Sequence, residues 1–275
     1  MINIAHFSDI HITNGTLLHN TIDTTDTFKM LTEDLSRSGK KIDLLVISGD
    51  LADSGSPVAY RILAEILDNL KAQLACEVMV VPGNHDNREH FYRQFFPNSD
   101  KSSCPARLGS LINVGGWQVI GLDSLVESQD YGDLSAEQMT WLSEHINNRD
   151  CLGSILVIHH PPIDSPTVGM TKIGLKNKDL LADTIAGGNV KLILAGHYHH
   201  FICSGFQTAK VLVASSTAYQ IDPLSASKSL TGYQGSAFSL ISLADNADLT
   251  LTQVYRGYPA AAPVLESSLE KLGIY

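Results

Sequence analysis

Five short apolar runs in this chain each end on residues able to ligate a metal or move a proton, and that repetition restricts the fold more than any other feature. N-I-A-H-F-S leads into Asp9 and His11, and D-L-L-V-I-S-G ends on Asp50. The run over 78–81 passes through Pro82 and Gly83 into Asn84, His85 and Asp86. S-I-L-V-I ends on His159 and His160, and V-K-L-I-L-A-G ends on His197, with His199 and His200 close behind. Runs this short and unbroken mark strands buried on both faces. Open α/β sheets gather ligands outside the carboxyl ends of their strands, so residues spread from 9 to 199 are expected to converge. Any one of these segments reads equally well as a polar turn satisfying its own backbone; five in succession do not.

The donor types select the chemistry. Asp, His and Asn without a cysteine form an oxygen and nitrogen set suited to manganese, iron, zinc or magnesium rather than to thiolate-loving ions. Asp9, His11, Asp50, Asn84, His159, His197 and His199 exceed the roughly six donors that one such ion takes, so two divalent ions are expected. Asp50, central in the order and carrying two oxygens, is the natural bridge. Two divalent ions outweigh the Asp9 and Asp50 carboxylates, and the surplus charge would attract a phosphate oxygen and acidify a bridging water into a hydroxide nucleophile.

Between the strands the pattern is helical. Phe28, Leu31 and Leu35 recur at helical spacing over 28–38, which leaves 13–27 as a loop over the site. Val58, Ile62, Ile66 and Leu70 form a second stripe, widened by Leu63 and Leu67. Residues 88–96 read as a short aromatic helix, 117–122 as a strand ending on Asp123, which does not fit the ligand set well, and 135–146 as a helix opened by a Ser135/Gln138 capping box. Three prolines and two glycines make 161–176 a flexible rim, followed by a helix over 178–186. Strands near 211–214, 237–242 and 249–255 are short and consecutive, so they are expected as antiparallel neighbours in a second sheet. The expected architecture is α/β, a two-sheet β-sandwich flanked by helices, with 1–256 as the catalytic domain. Residues 257–275 form a tail with a weakly helical end, which offers a subunit contact for a homo-oligomer.

Charge and cysteine usage narrow the function. A formal net charge of -10, with 19 Lys+Arg against 29 Asp+Glu, argues against a nucleic-acid track or an anionic membrane surface, both of which need basic patches. An anionic substrate must then be held locally. Cysteines 76, 104, 151 and 203 show no paired spacing and read as reduced thiols of a cytoplasmic protein. No run approaches the roughly 18 apolar residues of a membrane span, so no membrane partner is expected. A removable leader of about 15–30 residues would take Asp9 and His11 with it, so the mature chain is expected to start at or near Met1.

The motifs D-x-H, G-D, G-N-H-D, H and G-H-x-H occur in order as Asp9-Ile10-His11, Gly49-Asp50, Gly83-Asn84-His85-Asp86, His159 and Gly196-His197-Tyr198-His199. In this the chain resembles the calcineurin-like metallophosphoesterase superfamily, whose two-sheet sandwich flanked by helices agrees with the architecture above. The resemblance implies one metal held by Asp9, His11, Asp50 and His199 and another by Asp50, Asn84, His159 and His197. It also implies that His85 is a non-ligand histidine that stabilises the transition state or protonates the leaving oxygen. In the pairs His159/His160 and His199/His200, the first member is favoured as ligand. Asp86 is expected to support the site from behind.

Longer motifs resemble the bacterial class III cyclic nucleotide phosphodiesterases and the related glycerophosphodiesterases: S-G-D-L-A-D-S-G-S-P-x-x-Y over 48–60, L-D-S-L over 122–125, Y-G-D-L-S-x-E-Q over 131–138 and H-H-P-P-I over 159–163. The resemblance implies hydrolysis of a small phosphodiester, with cAMP and cGMP first. A glycerophosphodiesterase or a broad phosphodiesterase and phosphomonoesterase is the alternative. A nuclease lacks its basic surface here, and a non-catalytic interaction module would be expected to have lost ligands.

Overall fold

A computed structural model describes residues 1–97, 109–147, 150–225, 228–257, 265–268, 270–271 and 273. Its frame is a pair of sheets packed face to face. The first contains β1 (Ile2–Phe7), β2 (Leu44–Ser48), β3 (Glu77–Val81), β12 (Ser236–Leu243) and β13 (Leu249–Arg256) in the order β13-β12-β1-β2-β3, with β1, β2 and β3 parallel. The second has the order β4-β5-β6-β7-β9-β8. Here β5 (Trp117–Gly121), β6 (Gly153–Val157), β7 (Val190–Ala195) and β9 (Ala209–Val213) are parallel, while β4 (Ser110–Val114) and β8 (Ile202–Phe206) run antiparallel at the two edges.

Strand alternation sorts the apolar residues into three layers. Ile2, Ile4, Leu44, Val46, Met79 and Val81 from the first sheet meet Trp117, Val119, Ile155, Val157, Leu192 and Leu194 from the second, and together they fill the sandwich interior. The alternate positions Ala5, Phe7, Leu45 and Ile47 face outward under helices α1 (Thr24–Arg37), α2 (Pro57–Leu74) and α3 (Arg88–Phe95), which supply Phe28, Leu31, Tyr60, Leu63 and Phe91. On the other side Ile120, Leu156, Ile158 and Ile193 pack beneath α4 (Ala136–His145), α5 (Val168–Lys172) and α6 (Lys178–Ile185). The result is the expected α/β sandwich of two sheets flanked by helices. Strands β1, β2, β5, β6 and β7 are covered on both faces, which is why their sequences read as unbroken apolar runs.

Local signals set the helix boundaries. Asp23, Ser56 and Asn87 cap the first three helices with side-chain acceptors, Pro57 occupies the first turn of α2, and Ser135 and Gln138 form the full capping box of α4. Helix α1 begins four residues earlier than the expected 28, because Thr24–Thr27 carry no apolar stripe but follow the Asp23 cap. The rim over 161–176 is not all loop, since it contains α5.

The C-terminal strands depart most from expectation. Strand β9 is parallel to β7, whereas β12 (Ser236–Leu243) and β13 (Leu249–Arg256) return to the first sheet, with β12 antiparallel to β1. A short connection makes β12 and β13 antiparallel neighbours but cannot say which sheet they join. A small third sheet has the order β10-β11-β14, formed by β10 (Tyr219–Ile221), β11 (Ser229–Gln234) and β14 (Leu265–Ser268). The expected helical end of the tail is corrected at β14, which pairs with β11; residues 258–264, 269, 272 and 274–275 lie outside the described residues. Among the described residues no helix is long and apolar enough to cross a membrane.

Candidate metal centre

Parallel strands β1, β2, β3, β6 and β7 all end on one side of the sandwich, and the turns after them carry the expected donors. Asp9, His11, Asp50, His197 and His199 adopt φ values of 53°, 51°, 50°, 71° and 53°. That left-handed conformation costs a non-glycine residue on the order of 1–2 kcal/mol and persists only where neighbours over-determine it. Here the turns are tied to one another: Asp9 N–H donates to the Gly49 carbonyl at 3.0 Å, His11 N–H to the Asp50 carbonyl at 2.9 Å, and Gly196 N–H to the His159 carbonyl at 3.0 Å. Gly49, at φ +100°, lies so close to His159 that a Cβ would sit 2.2 Å from its Nδ1, and a Cβ on Gly83 would sit 2.3 Å from Asp50 Oδ1. Two of the motif glycines are therefore required by close approach to the donors.

The donors form two groups that meet at Asp50. In the first, His199 Nε2 is 3.3 Å from Asp9 Oδ1, His11 Nε2 is 3.3 Å from His199 Nε2, and His11 Nε2 is 3.6 Å from Asp50 Oδ2. Donor atoms of Asp9, His11, Asp50 and His199 all lie within 4.8 Å of one another. In the second, the same Asp50 Oδ2 is 3.4 Å from His159 Nε2, which is 3.1 Å from Asn84 Oδ1. His197 closes this group, its donor atom lying within 4.8 Å of those of His159 and His160. All seven expected ligands are thus brought together, and six of them are buried, Asn84 being the partly exposed one.

The second nitrogen of each imidazole is fixed from behind. His11 Nδ1 meets Asp53 Oδ1 at 3.3 Å, His159 Nδ1 the Ser48 carbonyl at 2.8 Å, His199 Nδ1 the Tyr219 carbonyl at 3.1 Å, and His197 Nε2 the Ile173 carbonyl at 3.0 Å. A carbonyl or carboxylate only accepts, so each of these nitrogens donates and, in the neutral ring, the opposite one presents a lone pair. For His11 and His199 those lone pairs face each other. Two acceptors at 3.3 Å between buried rings repel unless a proton or a cation lies between them, and this is the observation that fits the residues to a metal.

The electrostatics agree. Burial alone would raise the Asp9 carboxyl, but the His199 and His159 imidazoles outweigh it and hold it down to about 2. Burial would also raise Asp50, and His159, His85 and His11 hold it well below the carboxylate range. Burial works to lower His159, yet the Asp50 and Asp9 charges push it up to about 9. His197, buried beside His159, falls to about 3. The two carboxylates therefore demand positive charge at this place.

His85 sits at the mouth with its side chain 43% exposed and its ring centroid 4.7 Å from that of His11. Its N–H donates to Asp50 Oδ1 at 2.9 Å and its Nδ1 lies 3.0 Å from the Asp53 carbonyl. Burial would lower its imidazole, but Asp50 and Asp53 raise it above the ordinary histidine value. Asp86 points away from the donors and accepts from Leu51, Ala52 and Gly83 N–H and from the Tyr60 hydroxyl, clasping the ends of β2 and β3.

Three further strand-end residues are engaged elsewhere. Asp123 pairs with Arg88, Nε to Oδ2 at 2.8 Å. His160 has Nδ1 at 2.8 Å from Ser124 Oγ and Nε2 at 3.2 Å from the Asp130 carbonyl, although it adjoins His197. His200 Nε2 contacts Ser165 Oγ at 3.1 Å. Sequence reasoning missed Asp53 and Tyr219. The signal for Asp53 lay in the run G-D-L-A-D, where Asp53 follows Asp50 by one turn of chain; nothing in the sequence pointed to Tyr219.

Comparison with known proteins gives the same answer. A family profile described as calcineurin-like phosphoesterase matches residues 2–201. The chain is 35% identical over 233 residues to a cAMP/cGMP dual specificity phosphodiesterase of Mycobacterium tuberculosis, covering 84% of this chain and 72% of the relative. It is 30% identical over 224 residues to a probable glycerophosphodiester phosphodiesterase of Arcobacter nitrofigilis, covering 79% of each. Among solved structures, a dimetal phosphatase from Danio rerio superposes with a TM-score of 0.61 at 12% identity, over 87% of this chain and 95% of that one, which is a likeness of fold alone.

Proposed function

We infer that this chain, which belongs to the calcineurin-like phosphoesterase family and is a hydrolase of phosphodiesters, uses two divalent ions to open small phosphodiesters, with 3',5'-cyclic nucleotides as the favoured substrates. The observation that carries the dinuclear reading is the position of Asp50, whose Oδ2 lies 3.6 Å from His11 Nε2 and 3.4 Å from His159 Nε2, between the two donor groups. In this reading Asp9, His11, Asp50 and His199 hold one ion and Asp50, Asn84, His159 and His197 hold the other. Manganese, iron, zinc and magnesium all suit such donors. When bound, such ions supply Lewis acidity toward a phosphoryl oxygen and a water acidified toward neutral pH.

The chain's own residues do the rest. Asp53 and the carbonyls of Ser48, Ile173 and Tyr219 hold the imidazoles in the tautomers that face inward. His85, exposed at the mouth, with its imidazole raised above the ordinary histidine value by Asp50 and Asp53, delivers a proton to the leaving oxygen. The net charge of -10 offers an anion no general attraction, so affinity is concentrated at this site. Residues 1–256 form the catalytic unit, working in the cytoplasm, and 257–275 offer a contact between subunits.

The cyclic nucleotide reading is supported by the relative from Mycobacterium tuberculosis, and a glycerophosphodiester reading by that from Arcobacter nitrofigilis. Turnover of cAMP, cGMP, glycerophosphodiesters and short DNA, measured under identical metal loading, separates them. The account expects cyclic nucleotides to give the highest kcat/KM and DNA the lowest. A glycerophosphodiester as the best substrate would favour the second reading.

A further inference from the structure

We propose that the Tyr219 hydroxyl is a substrate-binding group that donates a hydrogen bond to a phosphoryl oxygen of the bound ester. The proposal rests on the reading that a phosphoryl group binds at this centre, and it adds a residue that the motif pattern does not contain.

Tyr219 is held to both halves of the first donor group. Its carbonyl takes the Nδ1 proton of His199 at 3.1 Å, its ring lies 4.4 Å from the His199 ring centroid and 6.2 Å from that of His11. The segment leading to it is stitched to the turn after β1: Thr217 N–H donates to the Ser8 carbonyl at 3.0 Å, Ala218 N–H to the Asp9 carbonyl at 3.2 Å, and Ser216 Oγ to the same Asp9 carbonyl at 3.0 Å. Tyr219 N–H in turn donates to Ser216 Oγ at 3.2 Å, and Ile221 N–H to the His199 carbonyl at 3.0 Å. From the other side His19 packs its ring edge-on at 4.9 Å and 80°, and Leu18 and Ile22, paired in a tight turn, join Ala218 and Tyr219 in a small apolar cluster. The phenol ring therefore has little freedom to turn away.

Its hydroxyl, in contrast, bonds to none of the described residues, and the side chain is only partly buried. The nearby carboxylates are already used: the Asp9 oxygens by the N–H of His197, and Asp53 Oδ1 by His11 Nδ1. A phenol, with an ordinary pKa of about 10, is a neutral O–H donor near pH 7. A rigid neutral donor without an acceptor, placed against a ligand imidazole, matches a phosphate ester, which brings anionic oxygens and no hydrogen to donate. Such an O–H to anion bond is among the strong ones.

Tyr219→Phe keeps the ring and removes only the hydroxyl. Inorganic phosphate binding to the metal-loaded protein, followed by calorimetry, is expected to weaken between about 10-fold and 100-fold, the range for a hydrogen bond to a charged group. The KM for a phosphodiester should rise by a similar factor, with metal content unchanged. Phosphate affinity within about twofold of wild type would overturn the proposal, and so would loss of an ion from Tyr219→Phe, because the residue would then act by supporting His199. Tyr219→Ala controls for packing: it keeps the backbone carbonyl that holds His199 Nδ1, so metal content should stay and phosphate should weaken at least as much as in Tyr219→Phe; phosphate affinity near wild type in Tyr219→Ala would overturn the proposal. Phosphate binding does not depend on turnover. A wild-type protein that hydrolysed no diester yet bound phosphate through Tyr219 would contradict the proposed reaction and leave this inference standing.

Discussion

The Nε2 atoms of His11 and His199, residues 188 positions apart in the chain, face each other at 3.3 Å with both Nδ1 atoms committed as donors to Asp53 and to the Tyr219 carbonyl. A cation between the two rings relieves the contact of two lone pairs. Chelation should therefore destabilise the protein and metal add-back restore it. At a free ion concentration 100 times Kd the gain is about 2.7 kcal/mol, or a rise in Tm of roughly 5–10 °C for a chain of this size. Thermal melts with and without manganese check this. Identical melts would mean that the cluster is satisfied without a cation.

Asp53 is the only side-chain carboxylate among the partners found behind the four imidazoles, the others being carbonyls of Ser48, Ile173 and Tyr219. Asp53→Asn should weaken the first ion by about 10–100-fold, the usual effect of removing such a partner, while the second ion keeps its affinity. A metal-buffer titration measures both. Equal weakening of the two ions, or none, would contradict the role given to Asp53.

His85 touches the centre through its backbone N–H on Asp50, and its ring stands at the mouth. His85→Ala should retain both ions and slow an alkyl diester, cyclic nucleotides included, by about 10²–10⁴, the range for a positioned acid. A nitrophenyl diester, whose leaving oxygen needs little protonation, should suffer less. Equal slowing of the two would assign His85 to stabilising the phosphoryl oxygens instead of protonating the leaving group.

What the sequence displayed and what it concealed follow from where each residue's partners lie. Asp9, Asp50, Asn84, His159 and His197 were legible because each closes an apolar run, and strand ends in a parallel sheet point to one edge. The return of β12 and β13 to the first sheet was not, since the pairing of Ala5 with Leu240 joins positions 235 apart and their alternation would suit either sheet. Thr24–Thr27 hid the first turn of α1 because its signal is the Asp23 cap and not an apolar stripe. Tyr219 looked like any aromatic residue beside a strand; its part in the site comes from the backbone bonds that tie 216–221 to Asp9 and His199.

His6 gives the metal-free protein an acid sensitivity. It is fully buried, with Nε2 2.8 Å from Ser48 Oγ and Nδ1 without a partner. Burial pushes its imidazole down from 6.5 to about 3 against an upward pull from Asp9. Between these values the unfolded chain holds the extra proton, so stability present above 6.5 is lost as pH falls, by up to about 1.4 kcal/mol per pH unit. Denaturant unfolding of wild type and His6→Gln in chelator should show a shallower pH slope for the variant over this window. Parallel slopes would mean that His6 does not titrate on unfolding.

The dinuclear reading turns on Asp50, and the most direct measurement is a titration of metal-stripped protein with manganese, counting bound ions while following cAMP hydrolysis. The account predicts two ions per chain, turnover that appears only as the second binds, and an Asp50→Ala variant that loses both metal content and turnover. Full turnover with one ion bound, or an Asp50→Ala protein that keeps two ions and normal turnover, would contradict it.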